Sequence, residues 1–587
     1  MKRLMQLASI LIVASVLLSA CSTPTPEVKV VTQIVKEVVE QTVVVEGTPQ
    51  VIEKEVTRVV EVEKVVTATS EPAPAGPVKG GTVVIVRDQE PNTLVQQWST
   101  LDVAWEVADM INEPLFRWSE VGEFAPFLAK EVPTLENGGI SEDGLTFTFH
   151  LREDVKWHDG EPFTAEDVIF TLDVVQDPNS GVMTYPPNLE SVETPDEYTV
   201  VMKLPSIDAA FLSRLTLMPI LPEHALKDVD NWQTAEYLYK PWPGTGPFQF
   251  VEWEAGSHIL VEKNSDYYRG EPYLDSIVYQ VTPNVDARLA ALRSGEAQMS
   301  FYLIGEDVLN ARDIPGLKVY ETPAHCAFIF FFNLRDPFLR DMRTRVALNH
   351  AVDKPGIVET VVHGLGSPKW SPLVPASWAY IDVEHKYTYD PEKAKALLEE
   401  AGWKDTDGDG VREAHGVEGV PDGTKLAFSV INIAGQAERL QICQIVQQQW
   451  KEIGVELEIE TMDVSTWVSR RNSFEFTVAY GYNAWDPDPG LAAQQTWYSV
   501  GTQNPHGLDT IYPDIDALLE EAMATVDIGK RKAMYAEFQE LIAERATDFL
   551  MYDRNWYNAA SEKVHNFKPI PGGGQHTWNS YEWWLEP

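Results

Sequence analysis

Asp143-Gly144-Leu145-Thr146-Phe147-Thr148-Phe149-His150-Leu151-Arg152 leads, two residues on, into Val155-Lys156-Trp157-His158-Asp159-Gly160-Glu161-Pro162-Phe163-Thr164-Ala165-Glu166-Asp167-Val168. Leu145 to Leu151 alternate at period two, which predicts a strand with one buried face and one wet face. Asp159-Gly160 is a turn pair that reverses the chain after Val155-Lys156-Trp157. Thr164 and Asp167 have the spacing of a capping box, so a helix is expected from Ala165 to Val175.

Outward from this stretch the same signals recur. Gly80-Gly81 opens onto the apolar run Thr82 to Val86, a strand. Pro283 to Ser294 reads as a helix stopped by Gly295. Further amphipathic helices are expected at Arg343 to Ala351, Pro391 to Ala401, Ala437 to Ile453, Ile515 to Ala524 and Lys530 to Ala546. Strands at Val455 to Ile459 and Phe476 to Ala479 are interleaved with them. The body is therefore mixed α/β, with no repeat of 20–50 residues.

The chain has 587 residues, with 46 Lys+Arg against 89 Asp+Glu and a net charge of −43. Such a chain lacks the clustered cations that phosphate binding needs, which argues against a nucleic-acid partner and against electrostatic docking on an anionic membrane. A hydrophobic fraction of 44% with 10% aromatics is enough to build a core. Three cysteines exclude a disulfide scaffold and a multi-cysteine metal cluster. Cys443 lies on an apolar helix face with Leu440, Val446, Trp450 and Ile453, and Cys326 opens an apolar strand; a Cys326–Cys443 disulfide is left open.

Lys2 and Arg3 precede an apolar stretch from Leu4 to Ala20, of signal-peptide length and marginal for a membrane span. It ends in Leu18-Ser19-Ala20-Cys21, which resembles a bacterial lipobox and implies residues 1–20 as a signal peptide and a lipid on Cys21. The mature protein is expected to be extracytoplasmic and tethered by that lipid. Residues 22–79 contain no aromatic residue and no Leu, so they cannot bury much core. Val28, Val31, Val35, Val38 and Val45, with Thr42, fit a 3-4 spacing, but Val is a weak helix former. The segment 21–79 is read as a lipidated spacer that lifts the body off the membrane, a short helical or self-pairing stalk being the alternative.

The quoted stretch resembles the signature of family 5 solute-binding proteins, the oligopeptide and dipeptide receptors of ABC importers. Gly244-Thr245-Gly246-Pro247-Phe248, Asn264-Ser265-Asp266-Tyr267-Tyr268, Leu292-Arg293-Ser294-Gly295-Glu296, the run around Asp341, Arg343 and Arg345, and Asp390-Pro391-Glu392-Lys393-Ala394 match other family segments in the same order. The resemblance implies a two-lobed periplasmic-binding-protein-like fold of class II, with an extra inserted subdomain. Residues 80–119, 218–318 and 545–587 would form lobe I, 120–217 the inserted subdomain and 319–544 lobe II. Two crossings between lobes would make a hinge.

In family members a segment like Gly-Trp-x-Ala-Asp-Tyr-x-Asp-Pro offers its first Asp to the ligand's α-amino group, a charge-assisted contact. Here the segment is Gly481-Tyr482-Asn483-Ala484-Trp485-Asp486-Pro487-Asp488-Pro489, and Trp485 stands at the amine position. Either Asp486 takes over through a local shift, or the ligand needs no free amine. Trp485, Asp486, Tyr482, Asn483, Asp488 and Glu90 are the expected ligand-binding residues. The partners implied are a small solute, peptide or oligosaccharide, and permease subunits, bound by a monomer; a non-transport sensor lipoprotein is the other alternative. No Gly-x-Ser-x-Gly, His-Glu-x-x-His or catalytic-cysteine motif is present, so no enzyme is expected.

Two other groups have a local reading. His158-Asp159-Gly160 is expected to be a polar hairpin tip, and Asp341, Arg343 and Arg345 to cap and solvate a helix start. Asp405, Asp407 and Asp409, with Gly410 sixth, resemble the opening of a calcium loop, but the twelfth position is Gly416 rather than Glu. No cofactor is expected beyond a structural Ca²⁺ at that loop.

Overall fold

A computed structural model describes residues 27–45, 48–66, 76–120, 122–183, 187–383, 387–435, 437–484, 488–499, 501, 504, 506–507, 512–571 and 574–587. Residues 1–77 and 78–587 are separate compact units. Cys21 lies outside the described residues, as do Trp485 and Asp486.

In the first unit, Glu27–Val45 and Thr48–Val66 pair antiparallel from Glu27↔Val66 to Val45↔Thr48. This is the self-pairing that the sequence left open as the alternative to a flexible spacer. The runs are dense in Val, whose β-branch costs little on a pleated strand and more in a helix.

The second unit is built on an eleven-stranded sheet. Its strands in chain order are β1 (Thr82–Arg87), β2 (Phe248–Glu254), β3 (His258–Lys263), β4 (Ser276–Val281), β5 (Met299–Leu303), β6 (Leu317–Phe332), β7 (Gly366–Pro368), β8 (Ala427–Ile433), β9 (Glu456–Met462), β10 (Val478–Ala484) and β11 (Asp548–Ser561). The spatial order is β9-β8-β10-β6-β11-β5-β1-β4-β3-β2, with β7 added on β11.

The long strands β6 and β11 run antiparallel from Leu317↔Ser561 to Phe331↔Asp548. One end of this pair takes β5 beside Ala559 and Ala560. The other takes β10 beside Cys326 to Phe332. Between the two ends the pairing slips, at Pro323/Ala327 and again at Phe328/Ile329. Two groups of strands are thus joined through one irregular ribbon.

Three large apolar cores fill the unit, two of them holding residues of this ribbon. The largest holds the Ala327–Phe332 segment with Trp450, Tyr480 and Phe549. A second gathers Val83, Ile85, Met110, Phe248, Ile277 and Trp583. The third holds the quoted stretch: Phe147, Phe149, Trp157, Phe163 and Val168 pack together. There Thr146–His150 pairs with Thr199–Lys203, and helix Ala165–Gln176 starts at the Thr164/Asp167 capping box.

Of two local expectations, the polar turn at His158-Asp159-Gly160 stands, closed by the Gly160 N–H on the Trp157 carbonyl at 2.9 Å, and the helix start at Asp341 stands in part. The half-buried His158 is no free tip: its Nδ1 accepts from the Gly244 N–H at 3.0 Å and its Nε2 lies 3.0 Å from the Gly246 carbonyl. That pairing places the proton on Nε2, and burial pushes the imidazole down to about 4. Asp341 does cap helix Met342–His350. Arg345, however, is fully buried rather than solvated. It donates to the carbonyls of Leu339, Arg340, Arg545 and Ala546 and to the Tyr512 hydroxyl, closing the ends of two helices.

Cys326 and Cys443 are buried free thiols, so the disulfide left open does not form. Burial pushes both thiols up to about 12. Among the described residues no helix is long and apolar enough to cross a membrane.

Candidate functional site

The ribbon of β6 and β11 carries unpaired polar groups where its register slips. His325 is buried with no partner on Nδ1, and burial pushes it down to about 4, so it is a neutral imidazole. Thr322 Oγ1 and, opposite it, Trp556 Nε1 are also buried without partners. Unpaired groups of this kind cost about 1–3 kcal/mol each unless something else supplies the hydrogen bond.

His325 lines a small open pocket of about 10 Å³ with Trp118, Ser119, Gly122, Ala376, Trp378 and Pro571. These residues come from both sides of the ribbon in sequence, 118–122 and 571 from one group of segments and 376–378 from the other. Trp118 Nε1 is a further buried donor without a partner. Two indoles and an imidazole here set apolar ring faces beside unpaired hydrogen-bonding groups.

Three residues along β6, Phe328 belongs to a second cluster. β8 and β10 run parallel, and strand ends of this kind are where open α/β sheets take ligands. Helix Ala437–Glu452 follows β8. Arg439, in its first turn, is buried to 3% exposure. Its guanidinium lies 5.2 Å from the Phe328 ring centroid and 5.1 Å from that of Tyr482. Nε and Nη1 are buried with no hydrogen-bond partner. A guanidinium stacked on two rings keeps its N–H edge for an in-plane acceptor, and carboxylate fits that fork. Around it, the Tyr480 hydroxyl and both amide atoms of Asn432 are likewise buried and unpaired. Tyr552 stacks on Phe328 at 4.5 Å and donates to Glu438.

The expected ligand residues are distributed unevenly. Tyr482 is 48% exposed and covers Arg439. Asn483 is buried, with Nδ2 donating to Thr496 Oγ1 at 3.1 Å. Asp488 caps helix Pro489–Trp497 and pairs with Arg531 at 2.9 Å. Glu90 accepts from Trp253 Nε1 at 2.8 Å and from the Gly256 N–H at 2.7 Å, which pins the β2–β3 hairpin. Arg439 was missed because the helix was read with its apolar face through Leu440. The buried face is Arg439, Ile442, Cys443, Val446 and Trp450, and Leu440 is 38% exposed. A cation at a core-facing position of an amphipathic helix was the available signal.

At the calcium-like loop, one carboxylate oxygen each from Asp405, Asp407, Asp409 and Glu413 lies within 4.8 Å of the others. Glu413, ninth in the loop, is a member that the sequence reading had not included.

Two strand groups joined through a double-stranded ribbon, with aromatic and hydrogen-bonding groups gathered at the ribbon, define a two-lobed solute receptor. Residues 123–505 match the description "Bacterial extracellular solute-binding proteins, family 5 Middle". The chain is 30% identical over 523 residues to the oligopeptide-binding protein AppA of Bacillus subtilis strain 168, covering 87% of this chain and 92% of that one. It is 27% identical to the dipeptide-binding protein of Escherichia coli K12, over 86% and 95% of the two chains. Its fold is similar to AppA of B. subtilis solved with a nonapeptide, with a TM-score of 0.67 at 29% identity over 87% of this chain and all of that one. It is also similar to the ABC transporter substrate-binding protein CtaP of Listeria monocytogenes, with a TM-score of 0.75 at 25% identity over 86% and 99%. The chain belongs to family 5 of the bacterial extracellular solute-binding proteins.

Proposed function

We propose that this protein is the receptor of an ABC importer for peptides or peptide-like solutes that carry a carboxylate, and that Arg439 binds the carboxylate. The observation that carries this reading is the buried Arg439 guanidinium beside Phe328 and Tyr482, with Nε and Nη1 unpaired among the described residues. Its relatives named for oligopeptides and dipeptides support a peptide backbone as the rest of the solute. In this reading the lobes are 80–119 with 218–318 and 545–587, the inserted subdomain 120–217, and 319–544. They close by bending the β6/β11 ribbon at its register slips, and solute contacts to both sides favour the closed state. The protein works as a monomer, delivers its solute to permease subunits and catalyses no reaction. Trp485 at the amine position supports a site that does not demand a free α-amine.

Calorimetry with one peptide in three forms tests this. The free and N-acetylated forms are expected to bind alike. The C-terminally amidated form should bind at least tenfold more weakly, since a buried charge pair that loses one partner costs about 2–5 kcal/mol. Arg439→Met should remove the preference for the free carboxylate. Equal binding of the amidated form sinks the carboxylate reading, and loss on acetylation alone returns the anchor to Asp486.

Anchoring through a lipid on Cys21 is part of the same reading, supported by the Leu18-Ser19-Ala20-Cys21 sequence. Cys21→Ala should release the protein from membranes or leave it unprocessed; a membrane-bound variant of normal mature mass refutes the anchor.

A further inference from the structure

We propose that the loop from Asp405 to Glu413 is a calcium site. Strand Trp403–Lys404 pairs with Glu413–Ala414, and the loop between them turns through Gly408 and Gly410, both left-handed at φ 78° and 91°. Asp405, Asp407 and Asp409 occupy alternate positions before Gly410, and the Val411 carbonyl follows in the same series. The carboxylates are fixed by the loop's own backbone. Asp405 accepts from the Gly408 and Gly410 N–H groups at 2.8 and 3.1 Å. Asp407 accepts from Asp409 at 3.0 Å and Asp409 from Val411 at 2.9 Å. Asp409 also pairs with the Lys425 ammonium.

A ring of exposed acids alone would not make a site; Glu413 is the independent observation. It is buried to 6% exposure while the three aspartates are exposed. Its Oε2 accepts from both the N–H and the hydroxyl of Thr406, at 2.9 and 3.2 Å. Its Oε1 is buried with no partner. Thr406 thus holds one oxygen of a buried carboxylate while the other goes unsatisfied beside three more acids. Such an oxygen carries a desolvation cost that a cation at the centre of the group removes.

The donor set names the cation. All ligand atoms are oxygen, which excludes a thiolate or imidazole site and favours a hard ion. Four carboxylates and a backbone carbonyl, completed by water, supply the six to eight oxygens that Ca²⁺ takes, whereas Mg²⁺ demands a tighter octahedron and keeps its water. Glu413 closes the loop at the ninth position, in place of the Glu that the twelfth position lacks. The bound ion would tie the hairpin to the body through Arg412, which donates to the carbonyls of Ile453 and Trp403 at 2.8 and 2.9 Å.

The test uses the full mature chain, treated with a chelator and desalted, titrated with CaCl₂ by calorimetry and by thermal unfolding. One ion per chain is expected, with a rise in unfolding temperature and an affinity for Mg²⁺ at least tenfold weaker. Asp407→Asn, an exposed substitution that leaves the core untouched, and Glu413→Gln should each weaken Ca²⁺ about tenfold or more. The proposal is overturned if neither heat nor a thermal shift appears up to about 5 mM Ca²⁺, above the 10⁻⁴–10⁻³ M range of extracellular calcium modules. It is equally overturned if Asp407→Asn and Glu413→Gln bind Ca²⁺ as the unaltered chain does.

Discussion

His158 shows what a single side chain holds together. Its imidazole joins the turn after Trp157 to the Gly244–Gly246 segment, eighty-odd residues away, and it does so only when neutral. Because burial holds it near 4 in the folded chain, against about 6.5 unfolded, the unfolded chain takes up the proton first. Between those values the unfolded state binds more protons, so this group's contribution to stability falls as pH falls from 6.5 toward 4 and is constant above. Solvent reaches part of the ring, so the effect is on the order of 1–2 kcal/mol. Urea unfolding at pH 7 and at pH 4.5 should therefore show a smaller acid-side loss for His158→Gln than for the parent chain. Equal losses would mean that the imidazole charges alike in both states. This role was not legible in the sequence, because His158-Asp159-Gly160 carries all the marks of a turn and its partners are remote. Arg345 escaped for the same reason: four of its acceptors are backbone carbonyls, which no residue pattern records.

Elements were legible where their ends are set by local chemistry. Thr164 with Asp167, Gly295, and Asp390 before Pro391 each mark a helix end in the sequence and are caps in the fold, whereas the helix read from Pro283 begins two residues later, after an Asn284 cap. The face of helix Ala437–Glu452 was placed one residue off, since Leu440 and Arg439 both fit the spacing and only packing chooses between them. The turn Gly244–Pro247 shows why two glycines of the motif are needed. It lies against the end of helix Asp102–Ile111, and Gly246 N donates to the Ile111 carbonyl at 2.8 Å. A Cβ at Gly246 would come within 2.5 Å of the Met110 carbonyl oxygen, and one at Gly244 would strike that of Ile111. Gly246→Ala should cost about 2–4 kcal/mol in urea unfolding, because backbone must move to admit the methyl group. A cost below about 0.5 kcal/mol would show that this helix end yields freely.

At the scale of the whole molecule, the family was legible because its motifs are scaffold: capping boxes, close turns and helix starts recur in order whatever the solute. The candidate site was less so. Of the residues expected there, Asp488 and Glu90 spend their carboxylates on Arg531 and on the β2–β3 hairpin, while Arg439 and His325 lie outside every family motif quoted. The unit 78–587 holds all three apolar cores described above. A chain begun at Gly80 is therefore expected to unfold at the same urea concentration as the mature chain, and to bind solute with the same affinity. A loss of several kcal/mol on this truncation would place part of the fold's support in the first unit.

The Val-rich hairpin has a geometric consequence for the anchor proposed at Cys21. Fully extended, residues 22–79 could span about 200 Å, at roughly 3.5 Å per residue. Pairing Glu27 with Val66 brings the entry and exit of the hairpin side by side, so forty residues drop out of the contour. The chain length left between Cys21 and Gly80, residues 22–26 and 67–79, has an upper bound of about 60 Å. If Cys21 carries the proposed lipid, the receptor would sweep within that radius a volume some thirty times smaller than the extended chain would allow. The concentration of receptor that a permease in the same membrane experiences rises in proportion. A hairpin that zips or frays would in this way set the delivery range without touching the solute site.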